Sequence, residues 1–233
     1  MKLKELLNDI PVQELHADPE MEIPEVQYDS RAVRPGDLFV AMRGFATDGH
    51  AYIGRAAECG AACVLCEEEP TVQIPWVRVE DSRRALAVLG ANFFGHPADE
   101  MVMTAVTGTN GKTTTTYLLK AILEQALGAK VGLIGTNQNM IGQEILPTER
   151  TTPESFELQR LFRKMRDAGC THVVMEASSH ALYLDRVYGV HYEVGIFTNL
   201  TQDHLDFHKT MENYRDAKSL LFEHLTDGKK PNK

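Results

Sequence analysis

Apolar and polar positions follow two rhythms along this chain, and the rhythm changes near Pro97–Glu100. From Met101 onward, short apolar runs at 101–106, 131–135, 172–176 and 193–198 read as strands. Between and after them, 112–127, 153–168 and 211–225 carry the 3.6-residue period of helices. Such alternation predicts a mostly parallel sheet with helices on both faces. Helix 153–168 has a start signal, Thr152 as N-cap with Pro153 in the first turn, and Leu158, Leu161, Phe162 and Met165 form its apolar face. In an open sheet of this kind ligands bind beyond the carboxyl ends of the strands, where loops 107–112, 177–180 and 199–208 fall.

The residues before the break carry shorter elements. Helices are predicted at 2–9, 50–59 and 83–94, and strands at 26–28, 37–42, 62–66 and 76–79. The turn 34–37 (RPGD) separates the first two strands. The chain therefore reads as an α/β protein of two domains, a small one over 1–98 and a P-loop-type, mostly parallel one over 99–233.

Composition narrows the function. A net charge of −9 argues against a general nucleic-acid binder, which needs a basic face to neutralise phosphates. No apolar run approaches the about 20 residues of a membrane span, and the amphipathic start is no signal peptide, so a cytoplasmic protein is expected. Cys59, Cys63, Cys66 and Cys170 lack the paired spacing of a zinc knuckle and read as reduced core residues.

The most informative segment is 101–116, an apolar strand that enters a glycine-flanked loop and then a helix. Gly108, Thr109, Asn110 and Gly111 can turn backbone N–H groups toward phosphates. Lys112 can reach the terminal phosphates, and Thr113, followed by Thr114, can ligate Mg2+. Val106 stands where the usual P-loop has its first glycine, which leaves a plain Gly/Thr-rich turn as the competing reading. Glu176 ends an apolar strand, placed either to hold Mg2+ beside Thr113 or to sit as a surface or capping carboxylate. His204 and His208 are four residues apart, a spacing compatible with a metal pair or a solvated turn. Lys218, by spacing alone, is a surface lysine.

Together, TGTNGKTTT (107–115), TTP (151–153), EASSH (176–180) and DHLDFH (203–208) resemble the Mur ligases, and 29–41 (DSRAVRPGDLFVA) resembles their UDP-binding domain. Within that family the similarity is to the type that adds the third amino acid. The resemblance implies an ATP- and Mg2+-dependent ligase joining a diamino acid, meso-diaminopimelate or L-lysine, to a UDP-N-acetylmuramoyl-dipeptide through an acyl phosphate. It implies Thr113 and Glu176 on one Mg2+, and His204 with a carbamoylated Lys218 on a second. It assigns Ser30, Phe45, Ala46 and Thr47 to the uridine diphosphate, and Thr151, Thr152, Ser178 and Arg186 to the muramoyl-peptide. It also implies a monomer, and a third domain beyond the present sequence, without which the chain is a fragment inactive in ligation. Two other readings remain: a folylpolyglutamate synthase-like ligase, which lacks the segment 29–41, and a non-catalytic nucleotide-binding module.

Overall fold

A computed structural model describes residues 1–44, 47–223 and 225. It divides into two compact units, Met1–Phe93 and Phe94–Lys233. That division falls before Pro97, a few residues earlier than the 98/99 boundary expected from the change of pattern.

In the first unit, β1 (Val12–His16), β2 (Val26–Gln27), β3 (Leu38–Val40), β4 (Cys63–Cys66) and β5 (Trp76–Val79) form a sheet of order β1-β5-β4-β3-β2. Only β1 is antiparallel to its neighbour. Every residue of β4 is buried, as expected for a central parallel strand covered on both faces. Burial pushes the thiols of Cys63 and Cys66 up to about 12, so both stay protonated and inert. The helices are α1 (Leu3–Leu6), α2 (Ile53–Glu58) and α3 (Ser82–Phe94). The helix predicted over 2–9 closes after one turn, and the one over 50–59 opens as a 3-10 turn, Gly49–Tyr52, capped by Asp48.

The second unit contains β6 (Val102–Thr107), α4 (Lys112–Leu127), β7 (Val131–Ile134), β8 (Asn139–Ile141), β9 (Glu144–Leu146), α5 (Ser155–Asp167) and β10 (His172–Glu176). Then follow α6 (Ser179–Tyr183), β11 (Val194–Phe197), α7 (Leu205–His208) and α8 (Met211–Glu223). The sheet order is β11-β6-β10-β7-β8-β9. The first four strands are parallel, and β8 and β9 extend the edge as an antiparallel hairpin. Register sets Glu176 opposite Val106 and Phe197 opposite Thr107, so three strands end level at one edge. The core packs Met103, Ile134, Phe162, Met165, Val173, Met175, Tyr192 and Leu221 together. Helix α5 buries Leu158, Leu161, Phe162 and Met165, the face its periodicity predicted. Gly132 of β7 makes room for Met165, since a Cβ there would lie 2.4 Å from the sulfur.

One expectation fails at the start of α5. The N-cap is Glu154, whose carboxylate accepts from the Ser155 N–H, not Thr152. The Thr152 hydroxyl is committed elsewhere, donating to the backbone carbonyl of Glu176 at 2.8 Å.

Candidate active site

The loop between β6 and α4 has a backbone that only glycine supports. Gly108 has φ +141°, and a Cβ on it would lie 2.0 Å from the Thr198 hydroxyl. Gly111, at φ +85°, precedes α4 and offers no side-chain cap, so N–H groups of the first turn stay open to an anion. The loop is fastened to the segment after β11. Thr109 N–H donates to Asn199 O at 2.9 Å, Asn110 N–H to Asn199 Oδ1 at 3.0 Å, and the Thr198 hydroxyl to Asn110 O at 2.7 Å. Lys112 Nζ folds over the loop and donates to the carbonyls of Gly108 and Thr109, each at 2.9 Å. Thr114 is exposed in the first turn of α4.

Beside the loop stands Glu176, fully buried at the end of β10. Its Oε1 accepts from the Thr113 hydroxyl at 2.9 Å and from the Thr136 N–H at 3.0 Å. Its Oε2 accepts from the Thr136 hydroxyl at 3.0 Å. Gly135 leaves the space for this carboxylate, because a Cβ there would lie 2.5 Å from Oε1. Each carboxylate oxygen can accept about two hydrogen bonds, so Oε2 keeps a free acceptor position. The Thr151 hydroxyl meets that of Thr136 at 3.0 Å, and the Thr152 hydroxyl accepts from the Ser178 N–H at 3.2 Å. Thr136 and Gly135 have no sequence signal of their own, since they follow an apolar strand as an ordinary turn.

Lys218 is not the surface lysine its spacing suggested. It is 2% exposed, on the inner face of α8 with Tyr214, Ala217 and Leu221. Its Nζ donates to Gly108 O at 2.8 Å and lies 4.4 Å from the centre of the Tyr214 ring. Tyr214 OH in turn meets the Thr109 hydroxyl at 3.2 Å, so two residues one turn apart on α8 grip consecutive loop residues. Burial, with the charge of Lys112 adding to it, brings the Lys218 amine down to about 7. Burial also lowers the Lys112 amine, against the opposing pull of Glu176 and Asp203.

A measurable consequence follows from Lys218. Between pH of about 7 and about 10.5 the unfolded chain holds a proton on Lys218 that the folded chain does not. Stability therefore rises with pH across that window, and the cost of burying the amine is complete below it. In carbon dioxide-free buffer, Lys218→Met should stabilise the chain more at about pH 6 than at about pH 10, read by urea denaturation.

The remaining expected residues are placed less uniformly. His204 is half-exposed, sits in a left-handed backbone at the start of α7, and faces Asp203 at 3.5 Å. Its ring lies 5.0 Å from that of His180, which also lies 5.4 Å from His208. His208 is buried, with Nε2 on the Ser179 hydroxyl at 2.9 Å, and burial followed by the nearby His180 and His204 lowers it to about 4. Among the described residues no group of three or more His, Cys, Asp or Glu side chains is arranged to hold a metal ion. Arg186 pairs with the buried Glu154 at 3.2 Å and reaches Thr152 O at 3.4 Å. Ser178 caps α6 through the Ala181 N–H at 3.2 Å. In the first unit, Ser30 is buried and Thr47 exposed, while Phe45 and Ala46 lie outside the described residues.

With this geometry, two family models match the chain: residues 106–230 fit the Mur ligase middle domain, and residues 22–94 fit the Mur ligase family catalytic domain. The chain belongs to the Mur ligase family. A relative from Clostridium tetani named UDP-N-acetylmuramoyl-L-alanyl-D-glutamate–2,6-diaminopimelate ligase is 50% identical over 227 residues, covering 95% of this chain and 47% of its own length. The Bacillus velezensis protein of the same name is 49% identical over 228 residues, covering 97% of this chain and 46% of its own. A solved structure with that name superposes at a TM-score of 0.81 with 29% identity, covering 97% of this chain and 46% of the other. The chain thus spans about half the length of the curated relatives it matches.

Proposed function

We propose that this chain is the nucleotide- and UDP-substrate-binding part of an ATP-dependent ligase. The ligase joins the amine of a diamino acid to UDP-N-acetylmuramoyl-L-alanyl-D-glutamate during peptidoglycan precursor synthesis. The observation that carries this reading is the meeting of Thr113 and the buried Glu176 at 2.9 Å, beside a loop crossed by Lys112. Hard oxygens at that spot fit a Mg2+ bound with a nucleotide, and Oε2 of Glu176 keeps an acceptor position for it. Mg2+, when bound, would neutralise charge on the phosphates and the transferring phosphoryl group. His204 and a carbamate formed on Lys218 would serve a second ion. The near-neutral amine of Lys218 suits that modification, because carbon dioxide reacts with the unprotonated form.

In this reading Lys112 and Gly108–Thr114 cradle the triphosphate. The terminal phosphoryl passes to a carboxylate oxygen of the substrate's glutamate, giving an acyl phosphate and ADP. The incoming unprotonated amine attacks the acyl carbon, the amide C–N bond forms, and phosphate leaves with the C–O bond electrons and takes up the proton the amine loses. Thr151, Thr152, Ser178 and Arg186 would orient the muramoyl-peptide. Ser30, Phe45, Ala46 and Thr47 would hold the uridine diphosphate. The names of the relatives favour diaminopimelate as the acceptor over L-lysine. The protein acts as a cytoplasmic monomer on small molecules. No helix among the described residues is long and apolar enough to cross a membrane.

A chimera tests the proposal. This chain replaces the corresponding half of the Clostridium tetani relative, and the product is read by mass spectrometry. ADP formation matched one-to-one by the diaminopimelate-containing tripeptide product supports the reading. A folded chimera that makes no amide product with either diamino acid contradicts it.

A further inference from the structure

The hydrogen bonds around Glu176 have one consistent direction. A carboxylate only accepts, so the single proton of the Thr136 hydroxyl points to Glu176 Oε2. The Thr151 hydroxyl, 3.0 Å away, must then donate to Thr136. Thr136 also fixes Oε1 through its backbone N–H. One residue on the loop after β7 thus pins both oxygens of the carboxylate and ties them to Thr151.

We propose that Thr136 is a positioning residue that orients Glu176 for a divalent cation and couples that cation's site to the Thr151 contact. The proposal rests on the reading of Glu176 as a metal ligand and of Thr151 as a substrate contact. Hydrogen bonds that orient a metal-binding carboxylate set the metal affinity as well as its geometry. Because Thr151 spends its proton inward, it presents only lone pairs outward, and it suits a donor on the substrate, a hydroxyl or amide N–H. Thr136 is exposed, and its backbone N–H survives any side-chain change, so its variants should fold.

The test uses Mn2+ as the probe, titrated into this chain in the presence of ADP and followed by the loss of the free-ion resonance. Thr136→Val should weaken Mn2+ binding about tenfold. Thr136→Ser should restore it, and ADP affinity in chelator without metal should stay unchanged. Thr151→Val should weaken Mn2+ binding in the same direction. The double variant should be no weaker than Thr136→Val alone, since both act through one chain of bonds. If wild type binds Mn2+ and Thr136→Val binds it equally well, the proposal fails while the reading of Glu176 stands. If Thr136→Val weakens metal-free ADP binding as much as Mn2+ binding, Thr136 has only a structural role and the proposal fails. If wild type takes up no Mn2+ with ADP, the reading and the proposal fall together.

Discussion

Gly108→Ala should abolish nucleotide binding and destabilise the second unit by about 4 kcal/mol. Two independent costs add here. The backbone at φ +141° disfavours any side chain, and the new methyl would meet the Thr198 hydroxyl at 2.0 Å and the Asn199 backbone at 3.1 Å. Neither neighbour can yield freely. Thr198 holds Asn110 O, and Asn199 holds the N–H groups of Thr109 and Asn110. Relief would therefore pull the loop off the segment after β11 and move the carbonyl that both Lys112 and Lys218 use. Urea denaturation with a fluorescent ADP analogue checks both parts. A stable Gly108→Ala protein that binds normally would show the loop to be far more pliable than these contacts imply.

Lys112→Ala should separate binding from stability. The amine makes two bonds to carbonyls of its own loop, which water can replace, so unfolding free energy should change by less than about 1 kcal/mol. Affinity for a non-hydrolysable ATP analogue should fall about 100-fold, the loss of about 3 kcal/mol from a charge-assisted phosphate contact. Lys112→Arg should not rescue it, because a planar guanidinium cannot occupy the space of a compact ammonium beneath two carbonyls. Calorimetry on the two variants checks both statements.

The parts of the site legible in the sequence were those with strong local chemistry. Glycines at 108 and 111 followed by Lys112 can be read without a fold, and Glu176 stands out as a carboxylate closing an apolar strand. Spacing alone makes Lys218 a surface residue, because a lysine on a helix usually faces water. Yet Tyr214, Ala217 and Leu221 mark a buried stripe at intervals of three and four, and Lys218 lies within it. Thr136 acts through contacts with Glu176 and Thr151, remote in sequence, which no periodicity records. In the fold, β1 was missed because Val12–His16 is a largely polar edge strand. The β8–β9 hairpin was missed although Gly142, at φ +58°, marks its tight turn. Short helices α6, capped by Ser178, and α7, which has no side-chain cap, carry too few residues for a helical period.

The most direct measurement is a calorimetric titration of this chain with UDP-N-acetylmuramoyl-L-alanyl-D-glutamate, with Mg2+ and a non-hydrolysable ATP analogue present and a folate as the comparison ligand. Saturable binding of the UDP-dipeptide is expected, weakened in Ser30→Ala and in Arg186→Ala, with no binding of the folate. Binding of the folate, or a folded chain indifferent to the UDP-dipeptide, would contradict it.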